Sequence, residues 1–197
     1  MNVRLKKTFT WYGAVVYDDQ FIINHYTAEI SMITVTSNNE EQNISYERIR
    51  MFIGDIIDGS VMISQDNPNL EFYQKIGTNI LILPDEPIDQ IVGMMLYLKL
   101  NAVMENRMVV TDVELWSRAG DSMKYLHSVN ESLGPLEQDG WWVDPRPCYC
   151  NSIEKAVGKI VNLARIPEWK DHGLDWADTT SAKDSVVFAD FRKDENE

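Results

Sequence analysis

The sequence contains little cysteine and little histidine. Its 197 residues include two cysteines, Cys148 and Cys150, and three histidines. Two cysteines separated by one residue do not provide the disulfide framework on which small secreted domains depend. A chain of this length buries enough apolar surface to fold without covalent cross-links. We therefore expect a protein of the reducing cytoplasm that is held together by its core.

Long apolar runs and the common phosphate-binding and nucleophile motifs are also missing. No run approaches the ~20 apolar residues that a membrane helix requires. The first residues, MNVRLKKTFTWYG, carry basic side chains but no apolar segment of a secretion signal. The sequence contains neither GxGxxG nor GxxxxGK(S/T) nor GxSxG. These absences argue against membrane insertion, a phosphate-binding loop and an α/β-hydrolase type of serine nucleophile.

Basic residues are few relative to acidic ones. The chain has 18 Lys and Arg against 31 Asp and Glu, a formal net charge of −13. Nucleic-acid binding depends on clustered Lys and Arg that displace counterions, so we expect no direct nucleic-acid partner. The acidity is typical of a solvated surface. A second interpretation is an acidic protein that occupies a basic surface on a partner.

Two strands at the start of the chain form the clearest local pattern. Residues 8–17 are rich in aromatic and β-branched side chains, and residues 21–36 alternate between two faces. The tripeptide DDQ between them is typical of a turn. The pattern predicts a long antiparallel hairpin.

The following segments predict two helices and a second strand pair. Ser37 or Asn38 is suited to cap a helix that ends at the Asp-Gly pair of residues 58–59. Pro87 suits the first turn of an amphipathic helix that runs from residue 88 to about residue 105. The remaining predicted elements are a short helix at 69–74, a short extended piece at 78–83 and strands at 108–117 and 123–129. The core therefore has the order strand, strand, helix, helix, strand, strand, with one short helix and one extended piece between the two main helices.

The composition changes after the core. Residues 135–197 hold four of the six tryptophans and four of the seven prolines, with no long periodic element. We predict a core at residues 1–130 and an irregular extension at 131–197. Within the extension, GWWVDPRPCYCN is expected to be a loop packed by aromatic rings, with a short helix at 155–164 and a short strand at 186–191.

The strand and helix order, with its long first hairpin, resembles the T-fold (tunnelling fold) of the 6-pyruvoyl- and 6-carboxy-tetrahydropterin synthases. His25, within NHY, is similar to the family's zinc-ligand histidine at the head of the second strand. Asp58, within IIDG, stands where the family has an Asp-His pair. Asp89 and Gln90, within PIDQ, stand where the second helix opens with Pro-Thr-x-Glu. Glu114, within VELW, resembles the glutamate that holds the pterin or purine ring.

The resemblance implies an α+β fold with an antiparallel sheet and helices on one face. It implies that Glu114 anchors a heterocyclic ring, with Asp89 and Gln90 near the cleft and His25 as a further ligand-binding residue. The family's zinc has three histidine ligands, and the matched region supplies only His25, while Gly59 replaces the histidine of the Asp-His pair. We therefore expect no metal or cofactor and no standard zinc lyase chemistry.

Several of these residues have ordinary structural alternatives. Glu114 is also compatible with an exposed strand carboxylate, and His25 with a hydrogen-bonded structural histidine. Cys148, Cys150, His127 and His172 are residue types that bind zinc. The Cys-x-Cys spacing is closer than the usual spacing of zinc ligands, and it fits two thiols that bind no metal better. The tryptophans of the extension suit either an aromatic ligand slot or, more commonly, core and interface packing.

Two functions follow from the sequence. The first is a pterin- or purine-type ligand-binding protein without the usual zinc chemistry. The alternative is a non-catalytic acidic interaction or assembly protein that keeps the fold. In both, a long hairpin with an exposed edge favours assembly into a homo-oligomer, because unpaired strand edges tend to associate.

Overall fold

The computed structural model describes residues 3–76, 79–147 and 168–176. The six strands are β1 Arg4–Tyr17, β2 Gln20–Thr34, β3 Val61–Ser64, β4 Ile80–Leu83, β5 Met108–Ser117 and β6 Tyr125–Ser128. The α-helices are α1 Asn39–Met51, α2 Leu70–Lys75 and α3 Asp89–Met104, and a π-helical segment, Phe52–Ile57, continues α1. Short 3-10 helices lie at Gly134–Glu137, Trp141–Val143 and Trp169–His172.

The strands form one sheet in the order β4-β3-β1-β2-β5-β6. The predicted hairpin is confirmed, with Arg4 opposite Ile33 and Tyr17 opposite Gln20 across β1 and β2. The strands β1, β2, β5 and β6 are antiparallel to their neighbours, whereas β3 and β4 are parallel additions beside β1. The α+β class and the ββααββ core are therefore confirmed, with a β-α-β insertion between the two main helices.

The two long helices cover one face of the sheet. Side chains of alternate residues in β1 and β2, such as Trp11 and Tyr26, join residues of α1 and α3 in the main core. The short helix α2 packs on the opposite face at the β3–β4 end, where Leu70 and Tyr73 contact a smaller core. The predicted one-sided arrangement therefore holds for α1 and α3, and α2 departs from it.

The sequence predicts the start of α1 correctly and the start of α3 less well. The Asn38 side chain accepts a hydrogen bond from the Glu40 N–H at 2.9 Å, as expected of an N-cap. The helix α3 begins at Asp89 with Ile88 as its N-cap, so Pro87 precedes the helix instead of occupying its first turn. The first main helical run ends at Ile57, and Gly59 has a φ of +74°, a conformation that glycine adopts without strain.

The aromatic loop after β6 packs onto α3. Trp141 and Trp142 belong to the main core, and the Trp141 indole N–H donates to the Ile82 carbonyl at 2.8 Å. The fully buried Lys99 ammonium donates to the carbonyls of Trp141, Asp144 and Arg146. These contacts favour the packing interpretation of these tryptophans.

A second anchor holds residues 168–176 against the helices. The buried Arg48 guanidinium lies 4.6 Å from the centroid of the Trp169 ring and 3.7 Å from that of Trp176. It donates to the Leu174 carbonyl at 2.9 Å and to the Glu105 carboxylate at 2.7 Å. The predicted helix at 155–164 and strand at 186–191 lie outside the described residues, and the division of the chain at residue 130 stays a prediction. In the described ranges, every helix is too short or too polar to cross a bilayer.

Candidate functional site

A cavity of about 520 Å³ opens at the start of α3, between the β1–β2 hairpin and the β5–β6 turn. Its volume lies within the range of about 300–1,000 Å³ that is typical of small-molecule sites. Most of the wall is apolar, and the polar side chains on it are few. The lining comprises Val15, Tyr17, Ile22, Asn24, Pro87, Ile88, Asp89, Gln90, Ala119, Gly120, Met123, Lys124 and Tyr125.

Asp89 is the acidic group of this cavity. It is the first residue of α3, where the positive end of the helix dipole favours a carboxylate. Burial raises the pKa of Asp89, and the hydroxyl and backbone of Ser117 partly oppose this shift. The Oδ2 atom is buried and, within the described ranges, accepts no hydrogen bond of normal geometry. A Cβ at residue 120 would collide with this oxygen, so Gly120 leaves the space that the Asp89 carboxylate occupies.

Asn24 connects the hairpin to the turn on the far side of the cavity. Its side chain is 2% exposed. The Oδ1 atom accepts the Ala119 N–H at 2.9 Å and the His25 N–H at 3.0 Å. A buried amide with two backbone donors is fixed in orientation, so this wall of the cavity is preorganised.

Tyr125 forms a wall on the β6 side. A Cβ at residue 93 would lie 2.7 Å from its ring, so the ring packs directly on the backbone of α3 at Gly93. The Tyr125 hydroxyl lies 3.3 Å from Nδ1 of His127. Both contacts hold the ring in place.

Lys124 also lines the cavity, but its ammonium is held beside two residues of the opposite sheet face. Its Nζ atom lies 3.5 Å from Oε2 of Glu114 and 4.4 Å from the centroid of the Trp116 ring. The ammonium therefore belongs to the exposed charges around Glu114 and not to the polar groups of the cavity.

The structure brings two of the four predicted site residues together. Asp89 and Gln90 both line the cavity. Glu114 and His25 lie on the other face of the sheet, because they alternate with core residues along β5 and β2. We call this surface the bare face, since among the described residues no helix covers it at β2 and β5.

On the bare face, Glu114 lies directly opposite Glu29 of β2. Lys6 lies 3.7 Å from the Glu114 carboxylate and forms a close ion pair with Glu29. The His25 ring is 4.7 Å from that of Tyr12, centroid to centroid. In the single chain, Glu114 therefore belongs to a charge network with Lys6 and Lys124 and lies outside the cavity.

The four residues considered as zinc ligands are not brought together in the described part of the chain. His127 is buried in β6, His172 ends a 3-10 helix, and Cys148 and Cys150 lie outside the described residues. Within those ranges, no group of three or more His, Cys, Asp or Glu side chains could hold a metal ion.

Sequence reasoning missed Asn24, Lys124 and Tyr125 as cavity residues. Asn24 lies within the NHY tripeptide that was noted for its histidine, so a signal was present beside it. Lys124 and Tyr125 lie at the start of the predicted strand 123–129 and carry no local signal, because only the tertiary packing of β6 brings them to the cavity.

Together these features define an α+β protein with a preorganised, mainly apolar cavity that contains a buried carboxylate oxygen. No family model and no curated protein matches the sequence. Solved structures that are similar to this chain include an uncharacterised protein from Wolinella succinogenes, with 10% sequence identity and a TM-score of 0.47, covering 66% of this chain and 99% of that chain. Another is a catalytic-residue mutant of 6-pyruvoyltetrahydropterin synthase from Plasmodium vivax, with 11% identity and a TM-score of 0.43, also covering 66% of this chain and 99% of that chain.

Proposed function

We propose that the protein binds a small planar nitrogen heterocycle of the pterin or purine type in the cavity at the start of α3. The observation that carries this proposal is the half-buried Asp89 carboxylate, which lines the cavity and whose Oδ2 atom accepts no hydrogen bond of normal geometry among the described residues. A carboxylate in a mainly apolar wall is an acceptor for the N–H donors of a ligand, and a hydrogen bond to a charged group contributes about 1.5–3 kcal/mol. Ring edges with adjacent N–H groups match a carboxylate acceptor especially well.

The remaining walls suit a flat ring. Apolar side chains such as Ile22 and Ile88 and the Tyr125 ring supply contact area, while Gln90 can meet carbonyl substituents at the mouth. We propose binding in place of the zinc lyase chemistry of the tetrahydropterin synthases, because the described residues bring no three metal-ligating side chains together.

The family resemblance implies a second candidate for the ring anchor, Glu114. Its pairing with Lys6 and Lys124 on the bare face favours Asp89 as the anchor within a single chain. An anchor at Asp89 and an anchor at Glu114 therefore predict different results, and the matched variants Asp89→Asn and Glu114→Gln distinguish them.

The test is thermal unfolding of the wild type, Asp89→Asn and Glu114→Gln with a panel of pterins, guanines and deazapurines. A ligand at 100 times its dissociation constant adds about 2.7 kcal/mol of stability, which raises the midpoint of a domain of this size by several degrees. We expect one compound to stabilise the wild type and Glu114→Gln but not Asp89→Asn. Loss of the effect in Glu114→Gln alone would transfer the anchor to Glu114, and a panel that stabilises none of the three proteins would reject the proposal.

A second candidate is the non-catalytic acidic assembly protein, and one observation favours it. On the side of β1 that faces β3, only residues 14–16 pair with another strand, so within the described part of the chain residues 4–11 present an open backbone edge. Beside it, Tyr12 and Ile23 expose 63% and 74% of their surface on the bare face. We propose that copies of the chain associate through this edge. Light scattering at micromolar concentration tests this, and a mass near 22.7 kDa would contradict it.

A further inference from the structure

A buried histidine lies directly behind the Tyr125 wall of the cavity. His127 of β6 is 1% exposed. Its ring packs edge-to-face on Tyr97 of α3, with centroids 4.7 Å apart, and lies 6.4 Å from the Tyr125 ring. The ring is therefore enclosed between a helix and the strand that forms the cavity wall.

The two ring nitrogens of His127 have different surroundings. Nδ1 lies 3.3 Å from the Tyr125 hydroxyl and 3.6 Å from Oε2 of Glu131. Nε2 is buried and, among the described side chains, has no partner. A neutral imidazole tolerates this arrangement, because one ring nitrogen can remain without a hydrogen. A protonated ring carries a donor on both nitrogens, and the donor on Nε2 would then be buried without an acceptor, together with a positive charge.

Tyr125 responds to His127 because it has little other polar support. Gly93 holds one side of its ring through direct packing, and the hydrogen bond to Nδ1 fixes the hydroxyl end. Displacement of His127 from its enclosed place would remove the second of these supports. The ring that forms the cavity wall would then be free to move.

We propose that His127 is a positioning residue that keeps Tyr125 in the cavity wall while its ring is neutral, and that protonation releases this wall and weakens ligand binding. This inference rests on the proposed function for its effect on ligand affinity. Its structural part, the coupling of His127 to Tyr125, stands without a ligand.

The charged and titratable groups around His127 set the direction of the switch. Burial lowers the pKa of His127, while the Glu131 carboxylate in the turn after β6 opposes that shift. From α3 the ring meets Tyr97, whose own pKa is raised by burial and by Asp112 of β5. The pKa of Tyr125 is also raised, by burial and then by Glu131. His127 is therefore neutral at pH 7, and its protonation belongs on the acid side of the usual histidine value of about 6.5.

The structural part is tested by NMR of the full-length protein between about pH 8 and pH 5.5. His127→Asn identifies the His127 imidazole signal, and Tyr125→Phe identifies the Tyr125 ring signal. We expect the Overhauser contact between the Tyr125 ring and the Gly93 Hα to weaken as the His127 signal titrates. Asparagine can occupy the Nδ1 position with a polar atom that does not titrate, so the contact should persist at all pH values in His127→Asn. A contact that is unchanged while His127 titrates, or a ring that stays neutral across the whole range, would overturn the proposal.

The ligand part uses pterin as the probe, with its dissociation constant measured over the same pH range. We expect the affinity of the wild type to fall at acid pH and that of His127→Asn to fall less. His127→Leu, which supplies no hydrogen bond, should bind about threefold to tenfold more weakly than the wild type at neutral pH. Equal profiles for the wild type and His127→Asn would refute the ligand part. Absence of pterin binding at every pH would instead count against the proposed function and leave the NMR result to decide the coupling.

Discussion

Replacement of Lys99 by methionine tests how the aromatic loop after β6 is attached to the core. Lys99 lies in α3 with 0% exposure. Its Nζ atom donates to the carbonyl oxygens of Trp141, Asp144 and Arg146 at 3.1, 2.6 and 2.9 Å. Methionine fills nearly the same space but donates no hydrogen bond. The substitution therefore removes three bonds while leaving the apolar packing almost unchanged.

The expected size of the effect follows from two opposing contributions. A hydrogen bond from a charged donor contributes about 1.5–3 kcal/mol. Desolvation of the ammonium costs several kcal/mol in the folded wild type, and the methionine variant avoids that cost. We therefore expect the free energy of unfolding to fall by about 2–4 kcal/mol, well below the gross value of three such bonds. At about 2–4 °C per kcal/mol, the midpoint of thermal unfolding should fall by roughly 4–16 °C.

Urea unfolding monitored by circular dichroism measures this change. The matched control is Lys75→Met on α2, whose lysine side chain is 77% exposed and lies 3.7 Å from Glu71. The control should change the stability by less than about 0.5 kcal/mol. Hydrogen exchange should also show earlier opening of residues 141–146 in Lys99→Met. A loss below about 1 kcal/mol would refute the reasoning, since it would mean that the three carbonyls find other donors without cost.

Three further changes test other parts of the structure. Arg48→Lys keeps a charge but loses the planar stacking on Trp176 and the hydrogen bonds to two backbone carbonyls. The free energy of unfolding in urea should therefore fall by about 2–3 kcal/mol. The control Arg50→Lys, on the exposed side of α1, should have almost no effect. The pKa of Asp89 is raised in the folded state from its reference value of 3.8, so ionisation of Asp89 opposes folding. Asp89→Asn should therefore be more stable than the wild type at pH 7. In thermal scans across pH, this difference should disappear below about pH 3.8, where Asp89 is protonated in both the folded and the unfolded state. Gly93→Ala places a methyl group 2.7 Å from the ring of the cavity wall and should lower the thermal midpoint through a loss of about 1–3 kcal/mol. In contrast, Gly54→Ala, whose added Cβ meets nothing within 4 Å, should leave the midpoint unchanged or slightly raised.

The elements that the sequence predicted well are those set by local periodicity. The side-chain alternation in β2 is strict, because Tyr26, Ala28 and Ile30 all face the core with 0% exposure. A shift of one residue would expose all of them, so the hairpin register follows from the pattern. In contrast, the residues of β3, VMIS, form a short apolar run that is compatible with several structures. Its place parallel to β1 depends on partners distant in sequence.

The helix α3 shows where amphipathic reasoning fails. Helical spacing places Leu98 and Ala102 on the apolar stripe of this amphipathic helix, yet both are only half-buried. Met94, Leu96 and Leu100 are buried as well. The reason is that the sheet covers one side of α3 and the aromatic loop of the extension covers another. A helix with two covered sides has no single apolar stripe for the sequence to reveal.

The candidate site was only partly accessible to sequence reasoning. Asp89 and Gln90 were selected because their position resembles the opening of a helix in a known family, and both line the cavity. Glu114 and His25 were selected on the same grounds and lie on the bare face. Strand alternation assigns them to the face opposite the core, but no sequence pattern shows that the cavity opens on the core side.

The sequence by itself determined the local elements and the acidic surface, because the alternation of β2, the cap at Asn38 and the excess of carboxylates are properties of neighbouring residues or of composition. Only the tertiary structure shows where the cavity lies, that Lys99 and Arg48 are buried, and that His127 contacts Tyr125. Lysine and arginine are charged residues that sequence patterns assign to the surface. Their burial depends on carbonyl groups and aromatic rings that are brought within reach only when segments far apart in the chain pack together.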